Sequence, residues 1–297
     1  MTGSAPVIPV AMRVHLAHAV VQAVADEATV DILHLKGPAA AAVRGLDRPS
    51  VDADVLVRPG HLKRLVAALR RSGWEKVTEL YSGGLVEHST NWYHPQVGQL
   101  DLHVRFPGIM LDPAEAFDHL WVARETVEIA HRPVSVPSAS AHRLIVLIHA
   151  ARNPGARTPE IAATWHALND TERAAVSAES VALRAGTALA ASLGVFAPNE
   201  TARDAAMWRL YAEDISSAPT LRRVLSHAKA SPTRRLIHVR TLGAIFYLVM
   251  SKPRRMAVEL GRAATPIEVI KGYRDMVVAG VLGRRRQRGG PPSPSEG

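Results

Sequence analysis

The stretch Arg48-Pro49-Ser50-Val51-Asp52-Ala53-Asp54-Val55-Leu56-Val57-Arg58-Pro59 places two carboxylates inside a short β-branched and aliphatic run bracketed by prolines. Pro49 and Ser50 read as a turn, and Pro59 as the opening of a helix, so Asp52–Val57 is predicted to be a strand. A strand repeats every two residues, which aims Asp52 and Asp54 at the same face. Two carboxylates held that close repel unless a cation or strong hydrogen bonding compensates them. On the residues alone, a metal claw and a pair of solvent-facing acids both remain open.

Working outward, Val10 to Ala28 carries apolar residues at helical spacing, and Ile32 to Leu35 reads as a short strand. Lys36-Gly37-Pro38 follows at once, giving strand, tight turn and then a helix to Gly45. After Pro59, residues Leu62, Leu65, Val66 and Leu69 share one helical face, with Gly73 as the stop. Glu75 to Tyr81 and Leu85 to Tyr93 form a predicted hairpin around Ser82-Gly83-Gly84. Gln99 to Phe106 alternates cleanly, so Leu100, Leu102, Val104 and Phe106 take one face and Asp101, His103 and Arg105 the other. Asp101 thereby becomes a third candidate carboxylate. Three oxygen donors and no sulfur favour a hard cation, Mg²⁺ or Mn²⁺, over zinc.

A short helix near Pro113 to Leu120 and a hairpin over Thr126–Ala130 and Pro133–Val136 complete the mixed part. Beyond Pro137 only helical patterning remains, to about Leu282. The expected fold class is α+β, with a sheet domain over 1–137, a helical domain over 138–283 and a basic, Pro/Gly-rich tail over 284–297 expected to be disordered.

Composition sets the outer bounds. The 297 residues are 47% hydrophobic and 21% charged, enough for a sizeable core, and cysteine is absent. That excludes disulfides, thiolate zinc sites and cysteine nucleophiles, and suits a reducing compartment; a cytoplasmic location is the expectation. Neither a signal peptide nor a membrane span is evident, because the apolar run Leu242–Met250 is about half the length a span requires. The net charge of +9 favours polyanionic partners, nucleotides or RNA among them.

The ordered set His34-Leu35-Lys36-Gly37-Pro38, then Arg48 through Pro59, Gly73-Trp74 and Leu100-Asp101-Leu102-His103 resembles a bacterial nucleotidyltransferase-like family within the DNA polymerase beta superfamily. The likeness spans about residues 30 to 155. It implies that Asp52, Asp54 and Asp101 bind metal, that Lys36 and Gly37 replace the superfamily's usual Gly-Ser at the triphosphate, and that NMP passes from an NTP to an acceptor with loss of pyrophosphate. Gly37 lets backbone approach phosphate, the following helix start offers its amides, and Lys36 adds a point charge. Arg48, Ser50 and His103 join the expected nucleotide-binding set, with Arg105 as a further phosphate clamp. His103, on the face of Asp101, could touch metal, phosphate or acceptor, or simply bond a neighbouring carboxylate. His142 and His149, seven apart on one helix side, are expected to serve packing. The acceptor is a small molecule, peptide, protein or RNA. The competing reading is a catalytically silent nucleotide- or RNA-binding module on the same fold.

Overall fold

The computed structural model describes residues 8–45, 50–77, 89–152, 159–195, 202–212, 226, 230 and 265–282, with 276–282 by backbone alone. The first helix, α1 (Val10–Glu27), leads into β1 (Ile32–His34). At Gly37 the chain turns with φ +61° and enters a 3₁₀ segment, Gly37–Ala40, that becomes the single turn α2 (Ala41–Arg44) and stops at left-handed Gly45. The expected helix is therefore present but tighter at its start, where Pro38 has no N–H to donate. Strand β2 is Asp52–Val57, and Pro59–His61 winds into α3 (Leu62–Arg71). Of the predicted hairpin, β3 (Glu75–Lys76) and β4 (Ser89–His94) are seen; residues 78–88 lie outside the described residues.

Strand β5 is Gly98–His103, shorter than its alternation predicts. Pro107 and Gly108 force the chain round, Gly108 at φ +97°, so Arg105 and Phe106 leave the strand. Leu100 and Leu102 pack under α1 and α3, whereas Phe106 swings into the opposite core with α4 (Pro113–Val122) and α5 (Ala139–Arg152). Between these helices, β6 (Glu125–Ile129) and β7 (Arg132–Val136) form the expected hairpin.

The five-stranded sheet runs β1-β2-β5-β4-β3, with β2 and β5 parallel and every other pair antiparallel. One face, built from Ile32, Ala53, Val55, Val57, Leu100 and Leu102, meets α1 and α3 around buried Trp74 and Trp92. The other contributes Leu33 and Leu56 to a second core. Into that core pack α5, α6 (Asp170–Ala182), α7 (Gly186–Leu193) and α8 (Ala205–Ala212). A last helix, α9, spans Pro266–Leu282. The mixed sheet with its helices is the expected α+β class.

Two of the contacts that tie the sheet side to the helical side involve Arg44 and Gly108. Arg44 and Glu160, both buried, form an ion pair at 3.1 Å, and Thr164 Oγ1 donates to the Arg44 carbonyl at 3.3 Å from a π-helical turn, Ala162–His166. Such a pair fixes geometry more than it adds stability, because desolvation offsets its attraction. Gly108 provides the second contact. A Cβ there would lie 2.8 Å from both Ile148 Cγ2 and Trp208 Cζ2 and 3.0 Å from Ala188 Cβ. Gly108→Ala is expected to cost about 3 kcal/mol, from crowding plus the strained positive φ. Urea unfolding at unchanged m-value would measure it, and a cost below about 1 kcal/mol would contradict this packing.

Candidate active site

The carboxylates converge because β2 and β5 run parallel in a register that sets Asp54 opposite Asp101. Alternation puts Asp52 on the same face, two residues earlier, opposite Gln99. His103 lies two residues beyond Asp101 on that face. Its Nε2 stands 3.0 Å from Asp54 Oδ1 and 3.1 Å from Asp101 Oδ2, so one imidazole spans both acids. Lys36, at the end of β1, reaches Asp54 Oδ1 at 2.5 Å. Sequence spacing placed His103 on this face, but only the strand register reveals that it bridges the acids.

Burial makes these charges consequential. Asp54 and His103 are almost completely buried, and Asp101 and Lys36 nearly so. Burial alone would raise the Asp54 carboxyl, but the Lys36 ammonium and the His103 bond outweigh it and hold the group well below the carboxylate range. Asp101 is likewise lowered against burial by the charge and hydrogen bond of His103, with help from the Ser89 hydroxyl. Burial would deprotonate His103, yet Asp101 and Asp54 raise it to about 9, so it is an imidazolium at neutral pH. Asp52 behaves oppositely. Burial first and the Asp54 charge second push it up to about 6, and Lys36 only partly counters them.

Ser50 closes the near end of the site by donating from Oγ to the Asp52 carbonyl at 2.9 Å, and it lies against Gly37. A Cβ on Gly37 would come within 3.1 Å of Ser50 Cβ, so the close approach of these two turns and the positive φ both require glycine here. The structure thus gathers Lys36, Gly37, Ser50, Asp52, Asp54, Asp101 and His103. Arg48 lies outside the described residues, as does the apolar run Leu242–Met250. Arg105 lies beyond the end of β5. His142 serves packing on α5, buried with Nε2 2.6 Å from the Leu35 carbonyl. Two features went unread in the sequence. Ser89, on β4 opposite His103, bonds Asp101, and a histidine pair, His18 and His34, lies beneath the Gly37 turn.

The donor set fits a hard divalent cation. Asp54 and Asp101 each offer a ligand oxygen, and the nearest atoms of these two groups and of His103 lie within 4.8 Å of one another; as an imidazolium, His103 bonds the acids and leaves coordination to them. Asp101 Oδ1 is buried with no hydrogen-bond partner, which is the condition a cation would relieve. Oxygen-rich sites of this kind suit Mg²⁺ or Mn²⁺.

The model of a family described as uncharacterised nucleotidyltransferases matches residues 12–195. No curated protein matches the chain. Among solved structures, the antibiotic-resistance factor ANT(2'')-Ia is similar at 19% identity and TM-score 0.37, covering 63% of this chain and 94% of its own. The lincosamide antibiotic adenylyltransferase LnuA is similar at 13% identity and TM-score 0.31, with 57% and 94% covered. An antigenic nucleotidyltransferase-like protein from Paracoccidioides brasiliensis gives 14% identity and TM-score 0.33, with 89% and 99% covered. Among the described residues, no helix is long and apolar enough to cross a membrane.

Proposed function

Because the chain belongs to the uncharacterised nucleotidyltransferase family, we propose that it transfers NMP from an NTP to a hydroxyl or phosphate of an acceptor and releases pyrophosphate. The observation that carries this reading is the in-register pairing of Asp54 with Asp101, with Asp52 on the same face. Acids so arranged fit the binding of Mg²⁺ or Mn²⁺, with Asp52, Asp54 and Asp101 as ligands. A bound divalent cation supplies charge stabilisation at the phosphate oxygens.

The chain's own groups do the rest. Lys36 and the amides after Gly37 hold the triphosphate, with Ser50 keeping the second turn against the first. Lys36 is bound to Asp54 in this structure, so its ammonium is shared between that carboxylate and an incoming phosphate. His103 holds Asp54 and Asp101 at a fixed separation and keeps both ionised. The acceptor oxygen attacks the α-phosphorus as the α–β bridging bond breaks. Pyrophosphate departs in line, and the acceptor's proton passes to solvent.

The helical part, residues 138 to 283, forms the acceptor side of the cleft in this reading. Its support is that α5 to α8 share a core with Leu33 and Leu56, which flank the carboxylates on their own face of the sheet. Incubating the protein with Mg²⁺, each of the four NTPs and a host-cell extract tests the reading. Pyrophosphate release with one NTP, abolished by EDTA, is expected. Nucleotide binding without release would favour the silent binding module instead.

A further inference from the structure

The buried histidine pair has a direction. His18 Nδ1 and His34 Nδ1 lie 2.7 Å apart, His34 Nε2 lies 3.0 Å from Gln22 Oε1, and Gln22 Nε2 donates to Asp26 Oδ1 at 2.7 Å. Asp26 can only accept, so Gln22 must present its oxygen to His34, and His34 Nε2 must carry the proton. Both histidines are completely buried, and burial lowers His18 to about 4 and His34 well below its ordinary value, so each carries a single ring proton at neutral pH. His34 Nδ1 is therefore the acceptor, and His18 Nδ1 the donor.

That leaves His18 Nε2 as a bare lone pair, buried and without a hydrogen-bond partner. It points at the turn proposed to hold the triphosphate: a Cβ on Gly37 would lie 3.7 Å from it and 3.3 Å from Ser50 Oγ. An unmatched buried acceptor is costly, and it needs a donor. Phosphate oxygens carry none. On a nucleoside triphosphate the donors nearest the phosphates are the sugar hydroxyls.

We propose that His18 is a nucleotide-binding residue whose Nε2 accepts a hydrogen bond from a ribose hydroxyl, giving the site a preference for ribonucleotides over deoxynucleotides. The proposal rests on the transferase reading for the presence of a nucleotide, not for any catalytic step. Gly37 lies over the buried Nε2 in this structure, so the turn must lift by the width of a hydroxyl on binding.

Two substitutions separate this role from a structural one. His18→Asn keeps a donor near the Nδ1 position to hold His34 but removes the acceptor at Nε2. His18→Gln reaches the Nε2 position but loses the contact with His34. Calorimetry with the tightest-binding NTP and its 2′-deoxy and 3′-deoxy forms is expected to show about tenfold weaker binding of one deoxy form by the wild type. His18→Asn should lose that preference at an unchanged melting temperature. His18→Gln should keep most of it while melting lower. Equal affinities for all three forms in the wild type, or a preference that survives in His18→Asn, would overturn the proposal; a melting loss in His18→Asn without any change in preference would mark the acceptor as satisfied by water alone. Binding with the expected preference but no pyrophosphate release would remove the transferase reading and leave this one standing. No binding of any nucleotide would remove both.

Discussion

Asp54→Asn is expected to lower NMP transfer by about 10³-fold or more, with the nucleotide's KM changed far less. The carboxylate is the hub of the site, bonded to Lys36 at 2.5 Å and His103 at 3.0 Å and set opposite Asp101 by the parallel register. Its proposed role is to hold the cation that meets charge developing on the phosphate oxygens, and interactions confined to the transition state lower kcat rather than raise KM. A loss of that size corresponds to about 4 kcal/mol of transition-state stabilisation. The same change leaves a buried imidazolium with one acidic partner instead of two, so the protein is also expected to melt lower. Steady-state kinetics on folded protein separates the two effects. A fall of less than tenfold would contradict the assignment.

Asp52→Asn should do something different: abolish transfer and yet stabilise the metal-free protein. Burial and the neighbouring Asp54 raise the Asp52 carboxyl from 3.8 to about 6. A carboxyl raised on folding binds its proton more tightly in the native state. Stability is therefore unaffected below about pH 3.8, falls as pH rises through about 6, and stays reduced above it. Removing the charge should thus raise the melting temperature by a few degrees at pH 8 in EDTA and change it little at pH 4. Adding Mg²⁺ should stabilise the wild type and not the variant, reversing their order. Lower melting of Asp52→Asn at pH 8 in EDTA would show that the charge is compensated in some way the site does not display. Active sites commonly carry such a cost for function.

Much of this is legible in the sequence. Strand β2 begins and ends where the bracketing turn and Pro59 place it, because an alternating aliphatic run between prolines has few other options. Strand β5 is shorter than its alternation predicts. Alternation persists through Val104 and Phe106, and only the turn at Pro107-Gly108 and the demand of a second core for Phe106 reveal that the strand stops at His103. The face of each acid followed from period two; their meeting did not, since that depends on β2 pairing in parallel with a strand more than forty residues away. His18 was illegible for a related reason. On α1 it resembles any helical histidine, and its importance comes from a hydrogen-bond chain through β1. Ser89 was hidden likewise, because the antiparallel pairing of β4 with β5 brings it to Asp101.

The carboxylate site is tested most directly by titrating Mn²⁺ into the protein with a non-hydrolysable NTP and following free Mn²⁺ by electron paramagnetic resonance. Saturable binding in the wild type, lost in both Asp54→Asn and Asp101→Asn while the nucleotide alone still binds, is the predicted result. Equal Mn²⁺ uptake by the wild type and the two variants would contradict it.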